Sequence, residues 1–166
     1  QQSLTWNHEN QLSNISGGGL PTESYLYDDS GIRVKKVSNG VATYYSATGD
    51  GACLFGPSPG DLMVAAMDTA YFDGANLCGA YLHVVGPQGD VTVRIVDWCP
   101  DCQVSHVDLS PQAFAEIAPL PLGIVPITWQ IVSPALPGPI AYHFKDGSNQ
   151  WWTAVQIRNH RNPIAK

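Results

Sequence analysis

A mostly β fold with two short helical insertions is what the sequence predicts, and three observations carry it. Strand-length apolar runs recur along the chain: "LMVAAM", "AYLHVV", "VTVRIVDW" and "IVPITWQIV". Turn signals, "GANLCG", "GPQGD" and "PLPLG", punctuate them. The 166 residues include 16 glycines and 13 prolines, a composition that suits sheets better than helix bundles. With 44% hydrophobic and 13% charged residues the chain can build a true core, and its length suits one ordinary domain with fragments attached.

The elements follow in three regions. In residues 1–45, "SYLYDDSG", "IRVKKVSNG" and "VATYY" alternate, with hairpin-type turns expected at Asp29-Ser30-Gly31 and Ser38-Asn39-Gly40. Apolar content is thin there, and such hairpins are marginal alone. Residues 46–133 hold the strong strands, with "GPQGD" as a hairpin loop. Two helices are expected within them. In "SPQAFAEIA", Ser110 is a good N-cap, Pro111 fits the first helical position, and Phe114 with Ile117 makes an apolar stripe. In "DTAYFDG", Asp68 caps one turn and Gly74 ends it. A stiff linker, residues 134–139 of "SPALPGP", leads to residues 140–166, which begin like a new β domain and stop after two or three strands.

Composition also narrows the partners. A formal charge of −6 argues against a polyanionic partner, since nucleic-acid binders cluster Lys and Arg against phosphate. No run approaches the ~20 apolar residues that span a bilayer. The chain opens at Gln1 with no leader, so it reads as mature, processed or excised.

The densest chemistry lies in "DWCPDCQVSHVDLS", Asp97 to Ser110. Cys99, Cys102 and His106 offer three zinc ligands, but a closed tetrahedral site needs a fourth, and neither Cys53 nor Cys78 belongs to a second close pair. A redox CxxC belongs at a helix N-terminus, whereas this one leads into "QVSHVDLS". Two structural disulfides, 99–102 and 53–78, in an oxidising compartment are the preferred reading, out of three possible connectivities. No metal and no cofactor are expected. Asp97 ends a strong β-run, and Asp108 shares a face with His106 if that stretch is extended. Each acid also has a local alternative: Asp97 capping the turn into Cys99, Asp108 accepting from nearby backbone amides.

Two resemblances follow from longer stretches. "LTWNHENQLSNIS" with "YLYDDSGIRVKKVSNGVATYY" is similar to the YD repeats of Rhs and insecticidal-toxin shell proteins, over about a quarter of the chain. One unit cannot build a shell, so residues 1–45 are expected to be an extension without a separate activity. "GDGACLFG", "LMVAAMDTAYFDGANLCGAYLHVVGPQGDVTVRIVDWCPDC", "HVDLSPQAFAEIA", "GIVPITWQIV" and "YHFKDGSNQWWTAVQIRNHRNPIA" resemble the microbial expansins, in order and over about residues 42–166.

That resemblance implies a six-stranded double-psi β-barrel over 46–133, followed by an incomplete Ig-like β-sandwich over 140–166. It implies a protein that loosens plant cell walls without hydrolysis. Asp108 then takes the position of the essential barrel aspartate and Asp97 that of the second groove acid, with Thr43 and Tyr45 of "ATYY" at the groove entrance. The "ATYY" stretch belongs to both patterns, so the boundary between them falls between about 38 and 47. Trp151 and Trp152 match the aromatic pair of the family's cellulose platform, and Trp98 joins the polysaccharide-binding set. Neighbours on a regular strand point to opposite faces, so both tryptophans face solvent only if the strand bulges or twists there, and otherwise one is core.

The expected partner is a wall polysaccharide, cellulose or xyloglucan or else peptidoglycan, met by a secreted, extracellular monomer. A cleaving enzyme on the same barrel is the alternative. Inverting hydrolysis needs a second carboxylate at about 6.5–9.5 Å from the acid and retaining hydrolysis one at about 5–5.5 Å. A lytic transglycosylase manages with a single acid such as Asp108. Asp97, Asp101 and Asp50 are the candidate second bases. An effector module at the end of a YD-repeat toxin is a third reading, compatible with the first.

Overall fold

In the computed structural model, which describes residues 1–19 and 21–164, the chain opens as an antiparallel meander. Its strands are β1 (Gln2–Trp6), β2 (Leu12–Gly17), β3 (Glu23–Tyr27) and β4 (Arg33–Tyr44). The β3–β4 turn lies where the sequence places it: the Asp28 carboxylate accepts from Ser30 N–H and Ile32 N–H, and Gly31 takes the positive φ of 78° that the reversal needs.

The turn expected at Ser38-Asn39-Gly40 does not form, and β4 runs straight through it. The reason is pairing on both edges: Ser38 faces Glu23 and Trp129, and Ala42 faces Val107 and Val125. Gly40 is there for a close approach rather than a reversal, since a Cβ on it would overlap the Ser105 carbonyl. Arg33–Val37 of this one strand therefore belong to the meander and Ser38–Tyr44 to the body that follows.

That body is a closed barrel. Its remaining strands are β5 (Val64–Asp68), β6 (Tyr81–Val85), β7 (Asp90–Cys99), β8 (Val107–Leu109) and β9 (Val125–Val132). The order β4-β8-β5-β7-β6-β9 closes through β9–β4, so six strands leave no barrel edge open. Side chains that alternate inward fill the interior: Ala42, Met67, Leu82, Val93, Ile95, Val107, Leu109 and Trp129 are all buried in one cluster. Helix α1 (Thr69–Phe72) is capped by Asp68 as expected, and a 3₁₀ turn at Asp73–Ala75 carries Gly74. Helix α2 (Pro111–Ile117) follows its predicted cap, Ser110 accepting from Ala113 N–H, and buries Phe114 and Ile117.

After the Pro-rich segment, β10 (Ala141–Phe144) and β11 (Val155–Arg158) pair with each other alone. Only an incomplete Ig-like sandwich was expected there, and this single strand pair does not show one. The two strands rest on the barrel through Gln156, whose amide donates to the Cys53 carbonyl, through Arg158 over the Phe55 ring at 5.7 Å, and through buried His160 against Gly79. No described helix is long and apolar enough to cross a membrane.

Candidate functional site

The outer face of the barrel carries one polar row. Strand register aligns Thr43 of β4 with Asp108 of β8, Asp108 with Ala66 of β5, and Ala66 with Asp97 of β7. Residues opposed in this way share a face. Val107 and Leu109, on either side of Asp108, are buried in the core, so Asp108 projects outward. Asp97 reaches the same face through a bulge. The β5–β7 register skips Val96, pairing Ala65 with Ile95 and then Ala66 with Asp97. Strict alternation from core residue Ile95 would turn Asp97 inward, and the extra residue turns it out.

Asp108 is held by side chains rather than by backbone. Thr43 Oγ1 donates to its Oδ1 at 2.6 Å, and the same hydroxyl lies 2.8 Å from His106 Nε2. A threonine hydroxyl has one proton, so with that proton on Asp108 the imidazole must donate from Nε2–H. Burial holds the His106 pKa below its ordinary value, against the opposing pull of Asp108 and Asp68, which favours the neutral ring, whose Nε2–H tautomer supplies that donor. Among the described residues nothing donates to Asp108 Oδ2, which is left to accept from a ligand. The sequence pairing of His106 with Asp108 thus acquires an intermediary, Thr43, from a strand 65 positions away.

Asp97 is tethered differently. Its Oδ1 accepts from Ala52 N–H at 2.7 Å and Trp98 N–H at 2.8 Å, so it braces the 50–56 loop as well as the turn beside it. Gly51 makes room, since a Cβ there would sit 2.6 Å from that oxygen. Tyr45 follows the end of β4, and its amide donates to the Leu109 carbonyl. Burial and the nearby charges of Asp97 and Asp108 push its phenol above the ordinary range, and its buried hydroxyl has no partner among the described residues. Of the other candidate bases, Asp50 turns its Oδ1 to Gly51 N–H and Gly56 N–H, and Asp101 is an exposed turn residue.

The four cysteines pair as expected, Cys53 with Cys78 and Cys99 with Cys102. Cys99, Cys102 and Asp108 bring one potential ligand atom each within 4.8 Å of one another, but the sulfurs are bonded together, so the group offers no thiolate pair. The bridge instead walls the site beside Asp108.

Trp98 lies next to Asp97, 43% exposed, stacked on Phe72 with ring centroids 6.1 Å apart, its indole N–H on Thr69 Oγ1. Trp151 and Trp152 are 87% and 52% exposed. The alternation concern did not apply to them because they are not on a strand. Asn149 Oδ1 accepts from both of their amides, a side-chain-built turn that presents both rings outward. A cavity of about 850 Å³ is lined by Asp50, Ala52, Phe55, Lys145, Gln156 and Arg158 among others.

Sequence reasoning gave Asp68 only as a helix cap. It is fully buried, caps α1 through Ala70 and Tyr71, and holds Ser105 N–H on its other oxygen at 3.0 Å, immediately before His106. Its capping role was readable, and its second bond across 37 residues was not.

A family model described as lytic transglycolase matches residues 37–129. Expansin-YoaJ of Bacillus subtilis is 37% identical over 151 residues, covering 88% of this chain and 62% of that protein. Expansin-like protein 1 of Dictyostelium discoideum is 35% identical over 140 residues, covering 77% of this chain and 49% of that one. The chain therefore spans about half to three fifths of the length of these relatives. A crystal structure of an aspartate-to-asparagine mutant of the Clavibacter michiganensis expansin in complex with cellohexaose superimposes with a TM-score of 0.73 at 36% identity, over 78% of this chain and 66% of that one.

Proposed function

The chain belongs to the double-psi β-barrel family described as lytic transglycolase and is of expansin type, and from that premise we propose that it binds wall polysaccharide along its outer barrel face and loosens it without cutting. The observation that carries this reading is the relay from His106 through Thr43 to Asp108, on a half-buried outer row that also holds Asp97. Thr43 spends its proton on Oδ1 and so presents Asp108 as an acceptor. A carboxylate in that state takes hydrogen bonds from sugar hydroxyls. The outward tryptophans Trp98, Trp151 and Trp152 offer flat faces to pyranose rings.

Each hydrogen bond exchanged with a glycan contributes on the order of 1 kcal/mol net. Loosening would then rest on many weak exchanges that compete with contacts between neighbouring polymer strands. A second carboxylate for hydrolysis is poorly supplied. Asp97 and Asp108 sit two strand spacings apart, about 10 Å between backbones, and one Asp97 oxygen is occupied by two amides. The oxidised cysteines suit an extracellular site of action, because disulfides persist outside the reducing cytosol.

A second reading has its own support. Lytic transglycosylation needs one acid and no second base, and the matching family model carries that name. One experiment separates the two. Wild type and Asp108→Asn are pulled down on insoluble cellulose and on peptidoglycan, with soluble reducing ends and anhydro-sugars assayed in the same tubes. Binding without soluble products supports the non-cutting reading. Products that vanish in Asp108→Asn support cleavage instead.

A further inference from the structure

Residues 1–37 have no role in the site described so far, yet one of their side chains is tied to it. Glu23, on β3, turns its carboxylate away from solvent, with 19% of the side chain exposed. Its Oε1 accepts from Tyr71 Oη and from Lys36 Nζ, both at 2.7 Å, and its Oε2 accepts from Tyr25 Oη. Burial alone would raise this carboxyl, but the bonds from Lys36, Tyr25 and Tyr71 outweigh it and hold its pKa below the ordinary value. Burial and the same carboxylate push Tyr25 up to about 12. This is a closed polar cluster between the meander and helix α1.

Tyr71 passes that anchor on by two routes. Its amide donates to Asp68 Oδ1, and Asp68 Oδ2 accepts from Ser105 N–H. Its ring meets Trp129 edge-on at 4.8 Å, and the Trp129 indole N–H donates to the Ser105 carbonyl at 3.2 Å. Both backbone groups of Ser105 are thus held from the side to which the meander docks. The hold has something to resist: Ser105 has φ 66°, a left-handed conformation that a non-glycine residue adopts at a cost. The next residue is His106, whose imidazole reaches Thr43.

We propose that Glu23 is a positioning residue of the groove, acting through Tyr71 on the Ser105–His106 turn, so that the N-terminal meander is a working part of the barrel. The proposal rests on the groove reading above only for its binding readout, and its structural readout is independent of that reading.

The test uses the full chain with Glu23→Ala, Glu23→Gln and Tyr71→Phe, the last keeping the ring against Trp129 while removing the hydroxyl. The His106 imidazole nitrogens are followed by NMR, and retention on insoluble cellulose is measured alongside Asp108→Asn. The expected result is a moved or broadened His106 Nε2–H signal in Glu23→Ala and Tyr71→Phe, with cellulose retention reduced about fivefold. Glu23→Gln, which keeps an acceptor for Tyr71, should recover to within about twofold of wild type.

Should Glu23→Ala fail to fold, Tyr71→Phe decides alone. A folded Glu23→Ala or Tyr71→Phe with the wild-type His106 spectrum overturns the proposal. If the His106 signal moves while Asp108→Asn leaves retention unchanged, the positioning role stands and the polysaccharide reading fails.

Discussion

The Thr43 hydroxyl is the point at which the proposed groove is easiest to break cleanly. Thr43→Val keeps the branched shape and removes the oxygen that donates to Asp108 at 2.6 Å and meets His106 at 2.8 Å. A hydrogen bond to a charged group contributes about 1.5–3 kcal/mol and a neutral one about 0.5–1.5. Thr43, His106 and Asp108 are only half-buried, so water replaces part of each loss. A net destabilisation of about 1–2 kcal/mol follows, which for a chain of this size lowers Tm by roughly 2–8 °C. Function should suffer more than stability, because Asp108 loses its orientation and His106 its acceptor. Thermal unfolding and cellulose retention, measured on wild type, Thr43→Val and Thr43→Ser, separate the two effects. Thr43→Ser restores the hydroxyl and should recover both. If Thr43→Val matches wild type in retention, or Thr43→Ser is no better than Thr43→Val, the relay has no part in binding.

Other perturbations test neighbouring parts. Gly51→Ala places a Cβ 2.6 Å from Asp97 Oδ1, so Asp97 must release Ala52 and Trp98; retention should drop with a stability loss of about 1–3 kcal/mol and an unchanged far-UV CD spectrum. Burial raises the Asp68 carboxyl above its ordinary value of 3.8, so the folded state favours its protonated form. Its contribution is fully present below 3.8 and is lost as pH rises through the raised folded value, and denaturant titrations across that window should show a negative slope that Asp68→Asn removes. His106 has the opposite sign: its lowered pKa favours the neutral ring in the folded state, so its contribution is present above 6.5 and lost as pH falls through the folded value, and NMR should place its midpoint below 6.5. Trp151→Ala with Trp152→Ala, at positions mostly open to solvent, should weaken cellulose retention about tenfold while leaving Tm unchanged within error.

The strong strands β5, β6, β7 and β9 were legible because each is a continuous or alternating apolar run bounded by Gly or Pro. Helix α2 was legible because Ser110 and Pro111 mark its start. What failed was local chemistry with two meanings. "SNG" is a good hairpin signal, yet Gly40 answers to the Ser105 carbonyl lying over it, a contact that no local pattern encodes. Strand β8 has only three residues, too short for periodicity to register. The tryptophan pair was judged as strand neighbours, whereas Asn149 gathers both amides into a turn. The resemblance named Thr43, Tyr45, Asp97 and Asp108 as expected site residues, whereas the physical link between Thr43 and Asp108 depends on parallel pairing of β4 with β8 across 65 residues.

The way these acids reach the surface also explains why the site and the core can be changed separately. Inward positions on β4, β5, β7 and β8 are Ala42, Met67, Ile95, Val107 and Leu109, and they form the apolar interior without help from the polar row. Thr43 and Asp108 take the outward positions that alternation leaves over, and Asp97 takes its place because the bulge lifts Val96 out of the alternation. Deleting Val96 would remove the bulge and leave Asp97 directly after Ile95, still in the outward position opposite Ala66. Substituting Asp108 removes no core contact. Asp108→Asn should therefore fold with a near-wild-type Tm, and whatever it loses in binding or loosening can be assigned to the carboxylate itself.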